Sequence, residues 1–303
     1  MPNPATAPSP SPTEAVRGAA AAAACYLAWG LVPLYWKQLA AINPVELIAH
    51  RHLWSLVLLF ALLVAQGRRT DLRKAVGHGP SVVRIVLGAA LLTTNWLVYV
   101  WGVNTGHVIE TSLGYFLVPL VNVALGRFVL HERLRSLQWV AIGAAGLGVA
   151  TMVAQLHRPP WIALALAGSW SSYGLLRKQS PHGPLVGLAA ETLVLAPLAV
   201  GYLLWRHLEG TGALGRVGAA DHLLILSSGL ITALPLLLFA YGARRLRLST
   251  LGLLQYLAPT VQLALGVWHY HEPFARDRVI GFAFIWAGLV LYTADNLLAQ
   301  RRR

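Results

Sequence analysis

Apolar residues run along this chain in blocks of about 20, the length that matches a hydrocarbon core of about 30 Å, and short polar or basic connectors separate the blocks. The pattern predicts ten membrane-spanning helices, over residues 18–38, 45–66, 82–102, 109–130, 136–155, 160–178, 184–206, 221–243, 249–270 and 278–298. Connectors such as HERLRS (131–136) and RRLRLS (244–249) leave no room for a soluble domain, so the spans should pack as one bundle. The opening residues, MPNPATAPSPSPTEAV, are rich in Pro, Ala and Ser and predict a disordered tail over 1–17. That tail lacks the basic n-region of a signal peptide, so the first apolar block reads as a retained span. The last residues, 299–303, form a short basic tail.

Within the blocks one phrase occurs twice. Residues 119–132 read PLVNVALGRFVLHE and residues 259–272 read PTVQLALGVWHYHE, identical at half of the aligned positions. The copies close the fourth and the ninth span. Five crossings separate them, an odd number, so the two copies thread the bilayer in opposite directions. This is the signature of an inverted-topology repeat, a construction used by many secondary transporters. The expected fold is therefore an all-α integral membrane protein of ten transmembrane helices in two inverted five-helix repeats, 18–155 and 160–298. Gly126 and Gly266, seven residues after Pro119 and Pro259, read as close-packing positions.

Composition agrees with the pattern: 56% of residues are hydrophobic, only 12% are charged, and mean hydropathy is +0.59. Soluble domains carry about 25% charged residues. The net charge of +13 does not point to nucleic acid, because the basic residues stand at the ends of apolar runs and not along one face. With the amino terminus in the cytoplasm, that side collects Arg17, Arg68, Arg69, Arg73, Lys74, Arg84, Arg133, Arg135, Arg177, Lys178, Arg244, Arg245, Arg247 and Arg301 to Arg303. The other side holds only Lys37, Arg158, Arg206, Arg216, Arg276 and Arg278. The bias places both termini inside and requires an even number of crossings. The single Cys25 excludes a disulfide framework within the chain and any multi-thiolate metal site.

Polar groups inside the blocks carry the candidate chemistry, since ionisable side chains in a membrane span are costly unless they line water or find partners. In NPVELIAHRHLWS (43–55), Glu46 and His50 are four apart and share a helix face, with Arg51 one residue further round. A carboxylate, an imidazole and a guanidinium at a membrane mouth suit an anionic group or a proton relay; they equally suit an interfacial cluster solvated by headgroups. Glu191, in GLAAETLVLAPLAV, stands alone and reads either as a proton-coupling group or as a hydrogen bond to a neighbouring helix. Trp29, Tyr35, Asn95, Trp96, Tyr115, Asn122, Gln255 and Tyr256 are the residues expected to line an aromatic cavity with a few amides, suited to an amphipathic small molecule. Pro119 and Pro259 are the expected helix-bending positions. Trp36, Trp101 and Trp205 read as interfacial belt residues. His269, His271 and Glu272 in HYHEP sit at a helix end whose repeat copy keeps only His131 and Glu132, and do not read as a metal site. No Walker motif, paired aspartate motif or HExxH is present.

Several long stretches carry a family likeness: ELIAHRHLWS (46–55), NWLVYVWGVN (95–104), ETSLGYFLVPLVNVALG (110–126), HERLRSLQW (131–139), SYGLLRK (172–178), RLRLSTLGLLQYLAPT (245–260) and FAFIW (282–286). Through them the chain resembles the EamA-type drug/metabolite transporters, and within them the RarD subgroup, over nearly all of residues 17–300. The resemblance implies ten helices in two inverted halves in the inner membrane, and transport of small metabolites or drugs, usually outward. It places Glu46, His50, Arg51, Trp54, Asn95, Trp96, Tyr115, Asn122, Gln255 and Tyr256 on the subgroup's recurrent polar and aromatic positions. The resulting expectation is a secondary carrier working by alternating access. Its partners are a small-molecule substrate and the lipid bilayer, with no nucleic acid, no metal and no cofactor, and with a homodimer left open. The alternatives are an uncoupled metabolite facilitator and, from another class, a membrane-embedded lipid or isoprenoid enzyme.

Overall fold

The computed structural model describes residues 12–77, 79–105, 107–154, 159–269 and 276–301, and the regular structure among them is all helical, with no strand. The helices are α1 (Pro12–Trp36), α2 (Pro44–Ala65), α3 (Arg69–Gly77), α4 (Gly79–Asn104), α5 (Val108–Phe128), α6 (Ser136–Val153), α7 (Trp161–Gln179), α8 (Pro184–Leu208), α9 (Ala219–Ala243), α10 (Leu248–Leu254), α11 (Leu257–Ala264) and α12 (Arg276–Arg301). Among the described residues eight stretches are long and apolar enough to cross a membrane, and α7 and α12 fall outside that set. In α7 the run Gly168, Ser169, Ser171, Ser172 dilutes hydropathy, while the apolar part of α12 is confined to Val279–Asp295.

Three local features differ from the pattern-based expectation. Helix α1 begins at Pro12 instead of residue 18, because Pro is preorganised for a first helical turn, where no N–H is needed. A short amphipathic helix, α3, fills the connector after α2; Leu72 and Ala75 turn inward and Arg68 pairs with Asp71 at 2.9 Å. The ninth block is a broken rod. Pro259 has no N–H for the Gln255 carbonyl four residues earlier, so that carbonyl accepts from Ala258 at 3.1 Å and the helix parts between α10 and α11. A π-helical turn, Leu265–His269, follows α11. Pro119, by contrast, lies inside an unbroken α5.

The helices pack in a definite pattern. Helix α6 lies along α12, α5 along α10, and α2 along α8; α1 contacts α9, α10 and α11, while α7 contacts α4 and α5; α2 also packs on α9, and α8 on α4. Without a hydrophobic force between helices in lipid, close approach comes from small residues. A Cβ at Gly148 would sit 3.0 Å from the Ile285 side chain, and one at Gly288 would sit 3.2 Å from the Ala145 nitrogen. The centre is aromatic: Trp29 and Trp170 meet edge-on at 5.1 Å, Trp170 and Phe239 lie 5.0 Å apart, and Tyr26 and Tyr173 complete the cluster between α1, α7 and α9. The outside carries large apolar side chains, Leu198 at 72% and Val290 at 66% exposure among them, which is the surface a bilayer covers.

The repeated His-Glu corner has a structural task in its first copy. His131 adopts a positive φ of 54°, which turns the chain so that the Glu132 N–H meets the Gly126 carbonyl at 2.8 Å. The Glu132 carboxylate then accepts from the Leu248 N–H (2.7 Å), the Ser249 N–H (3.3 Å) and the Ser249 hydroxyl (2.7 Å), capping α10 from outside the helix. Gly126 leaves room for it, since a Cβ there would lie 2.7 Å from Glu132 Oε2. Glu132→Ala strips three acceptor contacts from a helix N-terminus and is expected to cost about 2 kcal/mol, read as a lowered melting temperature in detergent. The second copy's His271 and Glu272 lie outside the described residues, and of the HYHEP cluster only His269, the last residue of the π-helical turn, falls within them.

Candidate functional site

Buried carboxylates in this chain mostly hold backbone. Glu46 Oε1 accepts from the Ala213 N–H at 2.5 Å and Glu110 Oε1 from the Ile162 N–H at 2.9 Å, as Glu132 does for α10. Glu46 also approaches Arg206 at 3.4 Å and His50 at 3.8 Å, and both Glu46 and His50 are buried. Asn43 caps the same helix, its side chain accepting from Val45 and Glu46. Glu191 does not stand alone: Arg177 Nη1 donates to its Oε1 at 3.1 Å and the Tyr173 hydroxyl donates to its Oε2 at 3.0 Å. Arg177, placed by the charge pattern among the cytoplasmic connector cations, is 1% exposed. It lies one turn beyond Tyr173 on the same face of α7, and that spacing was the available signal.

Arg51 leaves the Glu46–His50 pair. Successive residues on a helix step by about 100°, and that step carries Arg51 toward α1 and α4. Its guanidinium carbon stands 3.1 Å from the centroid of the Trp96 ring and 5.6 Å from that of Trp36. His52 meets the edge of Trp96 at 6.4 Å, and Tyr99 meets Tyr115 edge-on at 5.7 Å. Trp36 is therefore part of this aromatic wall, although the reading of the sequence assigned it to the interfacial belt, and Tyr99, which shares a face of α4 with Asn95, joins it there. Trp101 and Trp205, at 46% and 51% exposure, keep outward positions.

The other candidates divide by what holds them. Asn95 donates to the Leu166 carbonyl at 2.9 Å and the Ser169 hydroxyl at 3.0 Å, tying α4 to α7, and accepts from Tyr115 at 3.4 Å. Tyr256 is fully buried with its hydroxyl on the Phe116 carbonyl at 3.3 Å, and Trp29 belongs to the central aromatic cluster. Tyr35 bonds Ser227 at 3.0 Å and also donates to the Leu224 carbonyl. Asn122 and Gln255 are different. Both are buried, and among the described residues Asn122 Oδ1 and Gln255 Oε1 find no hydrogen-bond partner. They lie on the packed pair α5 and α10, where Gly252 lets α10 approach Asn122. Two unpaired amide oxygens in a chain of this hydropathy require a water or a ligand.

Known proteins resemble this chain over most of its length. Protein RarD of Streptomyces exfoliatus is 44% identical over 277 residues, covering 91% of this chain and 88% of its own. The uncharacterized transporter YojE of Bacillus subtilis is 41% identical, covering 95% and 97%, and Protein RarD of Escherichia coli K12 is 37% identical, covering 94% and 97%. A solved crystal structure at 22% identity superposes with a TM-score of 0.70, covering 93% of this chain and 98% of that one, and shares its fold. The EamA-like transporter family matches twice, over residues 16–154 and again over 159–294. With membrane-length apolar helices, two family matches and these relatives together, the chain is a multi-pass membrane protein that belongs to the EamA-like transporter family, on its RarD branch.

Proposed function

We propose that this protein is an inner-membrane secondary carrier for small metabolites or drugs, most simply an exporter, working by alternating access with both termini in the cytoplasm. Its ten crossings would form two inverted halves, 18–155 and 160–298. The observation that carries the reading is the symmetry of the packing. Exchanging α1, α2, α4, α5 and α6 with α7, α8, α9, α10–α11 and α12 turns α1–α9 into α7–α4, α5–α7 into α10–α11 against α1, and α2–α9 into α8–α4. It leaves α2–α8, α5–α10 and α6–α12 in place. The double family match and the repeated PLVNVALG and PTVQLALG phrases support the same halves. Two such halves can rock about a shared centre.

In this reading the substrate lies between the halves. Asn122 and Gln255 would contact it through their free amide oxygens, Trp96 and Tyr115 would form its aromatic wall, and Tyr35 would stand at its edge. Trp29, Asn95 and Tyr256 would support that wall from behind. Pro119 and the break at Pro259 would give α5 and α10–α11 their freedom to bend.

The test is exchange in proteoliposomes. Counterflow of a labelled substrate against its unlabelled form is the expected result, and its absence for every compound that binds the purified protein would end the carrier reading. Concentrative uptake under a pH gradient would assign proton coupling, with Glu191 and Glu46 as the groups to substitute. Equal rates and equal accumulation with and without the gradient would leave a facilitator.

A further inference from the structure

The two halves treat one equivalent position in opposite ways. Helix α2 opens at Pro44 and α8 at Pro184, and Arg51 and Glu191 each stand seven residues further on. The helices that precede them in the chain end in matching phrases, LYWKQ (34–38) and LLRKQ (175–179), which set Trp36 at the position equivalent to Arg177. In the second half this geometry closes: Arg177 meets Glu191 at 3.1 Å and Tyr173 binds the remaining carboxylate oxygen. In the first half it stays open. Arg51 faces Trp36 and Trp96, and among the described residues its side chain makes no hydrogen bond and no ion pair. Its Nε is buried and unpaired, and so is Nε2 of the adjacent His52.

Its own helix supplies no counter-ion. Glu46 is committed to Arg206, His50 and the Ala213 N–H, on another face of α2. The Trp96 face offers a guanidinium only a weak attraction compared with an anion. A guanidinium within a membrane span normally marks a substrate path or a paired group. Its donors match a carboxylate in bidentate fashion, with the ring planes of Trp96 and Trp36 beside them for a flat apolar body. The site is not sealed, since Arg51, Trp96 and Tyr115 are themselves only partly buried.

We propose that Arg51 is the anion-binding residue of the transport site, and that the cargo is a small organic acid with a planar or aromatic body whose carboxylate supplies to Arg51 the counter-charge that Glu191 supplies to Arg177 in the second half. This rests on the carrier reading above for its consequence in transport, but not for binding itself.

The experiment titrates the full-length protein in detergent at neutral pH with matched pairs: benzoate and benzamide, phenylacetate and phenylacetamide, indole-3-acetate and indole-3-acetamide. Thermal shift and tryptophan quenching are the readouts. At least one acid is expected to bind about tenfold or more tightly than its amide. In Arg51→Gln that preference should vanish, and Arg51→Lys should recover part of it. The wild-type comparison of acid with amide stands even if a variant fails to fold. No acid preferred to its amide, or a preference that survives Arg51→Gln, overturns the proposal. Counterflow separates the two readings. Acids that bind but never exchange leave the anion site and remove the carrier, whereas amides that exchange as fast as acids, indifferent to Arg51→Gln, keep the carrier and remove the anion site.

Discussion

Glu191→Ala is expected to destabilise the protein by about 3–5 kcal/mol, because it leaves the Arg177 guanidinium buried without its counter-charge. Arg177 has nowhere else to turn. Its Nη2 reaches only the Pro184 carbonyl, at 3.3 Å, its Nε is already unpaired, and Gly187 lies against the guanidinium so closely that a Cβ there would overlap it. The loss should appear as a steep drop in melting temperature and in the yield of folded protein from detergent. Glu191→Gln keeps an acceptor for Tyr173 and should lose less. The double substitution Arg177→Met, Glu191→Leu removes both charges and should regain much of the stability, as replacement of a buried pair by apolar groups often does. A Glu191→Ala protein that melts with the wild type would mean that the pair contributes nothing.

Gly229→Val is expected to cost about 3 kcal/mol, the upper end for forced overpacking, and to push α9 off α2. A Cβ at 229 would meet main chain, 2.6 Å from the Trp54 oxygen and 2.7 Å from the Ser55 nitrogen, and main chain cannot rotate away. The same contact carries a hydrogen bond from the Ser55 hydroxyl to the Gly229 carbonyl at 3.2 Å. Ser55→Ala isolates that bond and should cost only about 1 kcal/mol, since the hydroxyl is already committed to the Arg51 carbonyl at 2.6 Å. Melting curves of the two variants compare backbone approach with hydrogen bonding at one helix crossing. A cysteine pair across α2 and α9 that crosslinks in wild type and not in Gly229→Val would show the separation directly. Equal stability of Gly229→Val and wild type would rule out the close crossing.

How far the site was legible follows from what each residue needs. The Glu46–His50 pair could be read from a four-residue spacing, because both partners sit on one helix. Arg51 could be marked as costly in a span, but which wall it faces depends on the rotation of α2 against α1 and α4. Glu191 looked solitary because its partners, Arg177 and Tyr173, arrive on a different helix. Arg177 was read as a connector charge because hydropathy locates a helix end without saying whether that end is covered. Asn122 and Gln255 were singled out as amides in apolar runs; that their oxygens stay unpaired depends on the close approach of α5 and α10.

The sequence by itself determined the solvent, the approximate limits of the apolar helices, the doubled PLVNVALG and PTVQLALG phrase and the family, because hydropathy and repetition are properties of order along a line. Only the tertiary structure decided that Glu132 caps α10, that Pro259 breaks its helix while Pro119 does not, and that Glu191 is neutralised while Arg51 is not. Each of those outcomes turns on the rotation and the neighbour of a helix, and a charge in a span is satisfied or left open by whatever the facing helix brings to within about 3 Å of it.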